Sequence, residues 1–148
     1  TIIQWHVVSM FAPSFFTGNL IQRFGIIKIL LAGLLAYIVA MATALAGDQF
    51  IHYFMALFLL GLGWNFLYIG GSTLVASVAT AEERGRVQGV ADLATTSLVA
   101  MASLTAGGLH SQFGWDVLIL AGCVPIAILA CGLGWLGVHQ RRIALSPS

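Results

Sequence analysis

Charge is what this sequence has least of. Asp, Glu, Lys and Arg together make up 7% of its 148 residues, where soluble domains carry about 25%. So few ionisable groups cannot clothe a water-facing surface, which excludes an ordinary soluble globule and leaves lipid as the solvent for most of the outer face. A net charge of +1 provides no basic field to hold a phosphate backbone, so nucleic acid is not an expected partner. Cysteine is scarce too: Cys123 and Cys131 lie in one apolar run, ~12 Å apart along a helix and beyond disulfide reach. His6, His52, His110 and His139 are scattered singly, without the close pairing of a zinc site, so no metal is expected. Neither Gly-x-Ser-x-Gly nor His-Glu-x-x-His occurs, and His6 alone among the histidines is deep in an apolar run, which leaves haem without a facing ligand. No enzyme is expected. Linkers, charge runs and low-complexity tracts are absent as well, so the chain reads as one bundle.

What remains is apolar: 59% of residues are hydrophobic and the mean hydropathy is +0.98. Five stretches, at residues 2–20, 26–46, 50–78, 87–109 and 117–138, are each long enough to cross ~30 Å of hydrocarbon as a helix, whose backbone hydrogen bonds close within the segment. The expected fold is an all-α membrane protein, a bundle of five transmembrane helices followed by a tail at 139–148. Stretch 87–109 is the least apolar, with Gln88, Asp92 and several Ser and Thr, and the distribution of cations supports its crossing. Arg23 and Lys28 flank the first break, Arg84 and Arg86 the third, and Arg141 and Arg142 lie in the tail, while the second and fourth breaks have no Lys or Arg. Five crossings therefore put all six cations on one side. The positive-inside rule makes that side the cytoplasm, with Thr1 outside and the C-terminus inside, in an inner or plasma membrane. A start at Thr1 with no signal-peptide pattern reads as the C-terminal piece of a longer protein.

Two turns carry a family resemblance. Gly18-Asn19-Leu20-Ile21-Gln22-Arg23-Phe24-Gly25, with Lys28 after it, resembles the cytoplasmic Gly-x-Leu-x-Asp-Arg-x-Gly signature of the major facilitator superfamily in the degenerate form of the second half of those transporters. It departs from that signature at Gln22, where a carboxylate would stand, and at Ile26 and Ile27, where cations would. Two stretches later, Glu82-Glu83-Arg84-Gly85-Arg86-Val87-Gln88-Gly89 resembles the Glu-Arg-Gly-Arg-x-x-Gly turn that opens the fifth and eleventh helices. The resemblance covers essentially the whole chain and maps it onto helices eight to twelve of a twelve-helix transporter, a partial major-facilitator fold. It implies alternating-access movement of a small organic solute, with the N-terminal half as partner, and marks Gly18, Arg23, Gly25, Arg84, Arg86 and Gly89 as cytoplasmic motif residues. Efflux is a common direction in that family.

Polarity is distributed unevenly between the stretches. The second offers only Tyr37 and Thr43 and the fifth almost nothing polar, so both are expected to face lipid, whereas polar groups at membrane depth in the first, third and fourth belong inside. At ~1.5 Å per residue, His6, Asn65 and Ser97 come to similar heights, and with Trp64 and Tyr68 they are the candidate substrate-binding set near mid-membrane. Asn65 and Tyr68 are expected to share a helix face. No cofactor is expected beyond a coupling proton, for which His6 is the candidate because imidazole changes charge near neutral pH. Asp92, the one carboxylate inside a stretch, is a candidate gate residue, with Arg23, Arg86 or a helix N-terminus from the missing N-terminal half as its expected partner. The competing reading is a non-transporting multi-span scaffold or receptor fragment, which would tolerate apolar replacements at Asn65, Tyr68 and Asp92; a pore gains nothing from the sequence.

Overall fold

The computed structural model describes residues 2–145, with side-chain surroundings over 2–138. Thr1 lies outside the described residues, as do the side chains of the tail expected at 139–148, Arg141 and Arg142 among them; the tail's backbone continues helix to Leu145. Five helices follow in order: α1 (Ile2–Phe11), α2 (Ser14–Phe24), α3 (Ile26–Leu45), α4 (Phe50–Val78) and α5 (Arg84–Leu145). No strand occurs among the described residues, and the protein is an all-α bundle. Ile26–Leu45, Phe50–Val78 and Arg84–Val138 are long and apolar enough to cross a membrane.

Proline and glycine set the boundaries. The stretch expected as one helix over 2–20 is bent at Ala12-Pro13 into α1 and α2, because proline has no N–H to give the Ser9 carbonyl and its ring crowds the preceding turn. Pro13 keeps helical angles (φ −64°, ψ −19°), so the chain bends without reversing. α2 continues past the expected limit to Phe24 and stops at Gly25, whose φ of 88° and ψ of 152° are open to glycine and strained for other residues. The break expected at 110–116 shrinks to one residue, Gly114 (φ 84°, ψ −177°), which divides α5 into arms 84–113 and 115–145. Pro125 lies within the second arm and, among the described residues, Gly114 alone interrupts the helical angles of α5.

Side-chain register fixes the direction of each piece. His6 meets Leu57 and Asn65 meets Met10, so α1 runs parallel to α4. Gly63 faces Tyr37 and Gly70 faces Leu30, so α3 is antiparallel to both. Gln88 reaches Ser72 and Tyr68 reaches Asp92, making arm 84–113 antiparallel to α4. In the second arm Gly122 lies by Met41 and Leu133 packs with Leu30 and Leu34, so it runs back against α3. The pieces therefore alternate. Gly25 and the 79–83 turn lie at one end of the bundle, and the 46–49 turn and Gly114 lie at the other.

α4 is the central helix, and its glycines decide how closely its neighbours approach. A Cβ on Gly63 would stand 2.9 Å from the Gly33 carbonyl and one on Gly33 3.1 Å from the Gly63 carbonyl, a small-residue contact that brings two helix backbones together. A Cβ on Gly61 would run into the Ser9 hydroxyl and the His6 carbonyl. Around these contacts Leu30, Leu34 and Leu133 form the apolar core, flanked by Ile26, Leu67, Leu74, Ile126, Leu129 and Ala130.

Both helices expected to face lipid also have a buried side. In α3, Ile29, Leu30, Gly33, Leu34 and Ala40 are buried while Leu31, Leu35 and Ile38 are exposed, and arm 115–145 buries Ile119 and Leu133. The interior surfaces that these helices meet are themselves apolar, so their low polarity gave no sign of it. Arm 84–113, expected to line the interior, exposes Leu93, Leu98, Met101 and Leu104 within this chain. Its threonines fold back on their own helix, Thr95 donating to the Ala91 carbonyl and Thr105 to that of Met101, which satisfies a hydroxyl without a neighbouring helix.

Candidate functional site

A cavity of about 460 Å³ opens between α1, α3, α4 and arm 115–145, within the size range of small-molecule sites. Its polar-capable walls are His6 from α1, Tyr37 from α3, Tyr53 and Trp64 from α4, and Trp115 from α5; aliphatic side chains such as Met10, Leu60 and Leu118 complete it. Among the described residues, no Asp, Glu, Lys or Arg lines it. Close approach at Gly61 and Gly63 holds α1 and α3 against α4, and the single-residue turn at Gly114 sets Trp115 edge-on to Tyr53, ring centroids 6.0 Å apart, and to His110 at 5.9 Å.

His6 is the best-anchored polar group there. Its Nδ1 lies 2.6 Å from the Leu57 carbonyl, and the Ser9 hydroxyl donates to the His6 carbonyl at 2.7 Å. Of the five substrate candidates, the structure brings His6 and Trp64 to the cavity and places the other three elsewhere. Asn65 is buried on the α1–α2 side: its Nδ2 donates to the Met10 carbonyl at 2.7 Å, and its Oδ1 accepts from the Thr17 hydroxyl at 2.6 Å. Since Thr17 also reaches the Pro13 carbonyl at 2.9 Å, the amide fastens both sides of the proline bend. Tyr68 is not on the face of Asn65 but stacks on Trp64, one turn earlier, at 5.6 Å; a spacing of four residues returns to nearly the same azimuth. Ser97 is exposed on arm 84–113.

Of the partners expected for Asp92 within this chain, neither Arg23 nor Arg86 meets it; its Oδ1 accepts from Tyr68 Oη at 3.3 Å and from Gln88 Nε2 at 3.2 Å, and Gln88 also donates to Ser72 at 2.9 Å. The reason is helical spacing: Gln88, four residues before Asp92, shares its face toward α4, while Arg86 points elsewhere. The motif residues gather at the end of the bundle that holds Gly25. Gly18, Arg23, Arg84, Arg86 and Gly89 are exposed, and the Arg23 guanidinium lies over the Phe24 ring at 5.4 Å. Thr80 and Glu83 cap the start of α5, the Thr80 hydroxyl donating to Glu83 Oε2 at 2.8 Å and accepting from the Glu83 N–H at 3.3 Å, a pairing that the Thr-x-x-Glu spacing announces. Sequence reasoning missed Tyr37, Tyr53 and Thr17. The signal for Tyr37 was available, since a phenol in an otherwise aliphatic run needs a polar or protein neighbour at that depth.

Comparison with known proteins agrees with this architecture. The family model described as Major Facilitator Superfamily matches residues 3–147. The Riboflavin transporter RfnT of Brucella anthropi is 47% identical over 78% of the chain and 29% of its own length. An uncharacterized MFS-type transporter of Bacillus subtilis, YdeG, is 30% identical over 88% of the chain and 29% of its length. The cis,cis-muconate transport protein of Acinetobacter baylyi is 29% identical over 75% and 27%. The chain thus spans less than a third of the length of these curated relatives, and no solved structure matches it. A family match across nearly the whole chain, on a bundle of alternating apolar helices with its cationic turns at one end, shows that this chain belongs to the major facilitator superfamily.

Proposed function

We propose that the chain is the C-terminal portion, helices eight to twelve, of a secondary transporter that moves a small organic solute by alternating access, and that it supplies one wall of the solute path. The observation that carries this reading is the transporter-family match over residues 3–147, on apolar helices that alternate in direction. Transport needs the N-terminal half, because in such proteins the site and gates lie between two repeats. The multi-pass chain sits in a cell membrane with the Arg23 and Arg84 turns and the C-terminus in the cytoplasm.

Among the solutes named for its relatives, a flavin suits this chain better than a dicarboxylate. An isoalloxazine is flat and uncharged and stacks on aromatic rings such as the Trp64–Tyr68 pair, whereas muconate would shed its water with no Lys or Arg at mid-depth among the described residues to meet it. A coupling proton is assigned to His6, and a gate role to Asp92 with Tyr68. The test is uptake into proteoliposomes holding the full-length transporter: riboflavin uptake that is competed by excess unlabelled riboflavin and not by cis,cis-muconate is expected. Uptake of muconate with none of riboflavin would overturn the solute assignment, and a full-length protein that moves neither, nor any other small solute, would favour the scaffold reading.

A further inference from the structure

One polar cluster of this half is left uncovered by its own helices, and its chemistry, on the flavin reading above, limits which solute it admits. α4 turns Gly61 to α1 and Gly63 and Gly70 to α3, while Tyr68 and Ser72 turn to arm 84–113. Tyr68 lies ten residues before the Val78 end of its helix, ~15 Å in and midway through ~30 Å of hydrocarbon. At that depth a phenol and a carboxylate belong against protein or a water-filled path, yet Tyr68 is 44% exposed in this half. Its hydroxyl is tied to Asp92 Oδ1 and its ring is stacked on Trp64 with 15° between the planes. A ring covered on one face and tied at its tip owes exposure of that size to its other face, which is therefore open to a flat partner.

Asp92 stands at the rim of that open ring. Both of its hydrogen bonds, from Tyr68 and Gln88, go to Oδ1, and Oδ2 has no partner among the described residues. Gln88, bonded also to Ser72, holds the carboxylate against α4. A carboxylate only accepts, so the pair offers a stacking surface beside one open acceptor. A flat solute with O–H or N–H groups at its edge satisfies both, whereas an anionic group brought there meets a like charge where the surroundings screen poorly.

We infer that Tyr68 and Asp92, beyond any gating, form this half's wall of the solute site: Tyr68 is the stacking platform, and Asp92 determines specificity by admitting an uncharged, donor-bearing planar solute and rejecting its anionic counterpart. Riboflavin and riboflavin 5′-phosphate, which share the ring and the hydroxylated chain, are the probes, and the measurement is equilibrium binding to the full-length transporter in detergent. Wild type is expected to bind riboflavin at least about tenfold more tightly than the phosphate. Asp92→Asn, which keeps an acceptor for Tyr68 and removes the charge, is expected to bring the two within about threefold of each other, with riboflavin bound more weakly and the phosphate more tightly. Tyr68→Leu is expected to weaken riboflavin binding about tenfold, and Tyr68→Phe, which restores the ring, to recover most of that loss.

Equal binding of the two flavins by wild type overturns the inference and leaves the riboflavin reading standing. Undiminished discrimination in a folded Asp92→Asn overturns it as well, and unchanged riboflavin binding in a folded Tyr68→Leu overturns the stacking role. Should Tyr68→Leu fail to fold, the ratio of the two flavins in wild type and Asp92→Asn decides alone. No binding of riboflavin by wild type overturns both the inference and the flavin assignment, while membership of the transporter family stands.

Discussion

Asn65 shows how a single amide can be structural where its position suggests ligand binding. Its carboxamide occupies both hydrogen-bonding ends, on Met10 and on Thr17, at a place where Pro13 has disturbed the helix ladder. Asn65→Ala leaves buried groups unmet on two helices, and a loss of about 1–3 kcal/mol is expected, read as a lowered melting temperature of the full-length protein in detergent, with the solute preference of the folded fraction unchanged. Glycine provides a second contrast along the same helix. Gly61→Ala drives a methyl group into Ser9 and the His6 backbone, whereas Gly71→Ala meets nothing within 4 Å, so the first is expected to cost about 1–3 kcal/mol and the second to be neutral in the same melting assay. At this scale the sequence was partly legible. Depth along the chain picked out His6 and Trp64 because height depends only on residue count; it could not separate Asn65 from Tyr68, because which face of α4 meets which neighbour is decided by where Gly61, Gly63 and Gly70 admit other backbones.

At the scale of elements, hydropathy placed the helical stretches well and their interruptions poorly. An apolar run says that a helix is wanted and is silent on whether a proline inside it bends the run, as Pro13 does, or is absorbed, as Pro125 is. The turns were legible as polar breaks, yet two of them reduce to a single glycine, Gly25 and Gly114, with φ near 88° and 84°. An L-residue at such angles is strained by about 1–3 kcal/mol, so Gly114→Ala is expected to lower stability by that amount and to loosen the packing of arm 115–145 on α3. Spin labels at Leu31 and Gly134 check this: the distance distribution broadens in Gly114→Ala and stays narrow in Gly107→Ala, where a methyl group meets no neighbour within 4 Å. Lipid exposure was the least legible property of the elements. Polarity counts assign helices to water or protein, but α3 is buried on one side by other apolar helices, which hydropathy does not distinguish from lipid.

For the whole molecule, alternation of the helices gives a sidedness that labelling can read. With Cys123 and Cys131, both exposed, replaced by serine, single cysteines at Gln22 and Glu82 are expected to react with a membrane-impermeant maleimide from one side, and those at Asp48 and Gln112 from the other. Reaction of positions 22 and 82 from opposite sides would break the topology. The joint between α4 and arm 84–113 makes a second whole-molecule prediction. Asp92→Asn retains an acceptor for Tyr68 and removes the charge, so solute uptake is expected to fall several-fold with little change in melting temperature; unaltered uptake would leave Asp92 a structural acceptor. The proline bend has one more consequence. Because one carboxamide grips the chain just above the bend and, through Thr17, just below it, α1, α2 and α4 are tied into a single strut, and bending between the helices of this chain falls to the arm before Gly114.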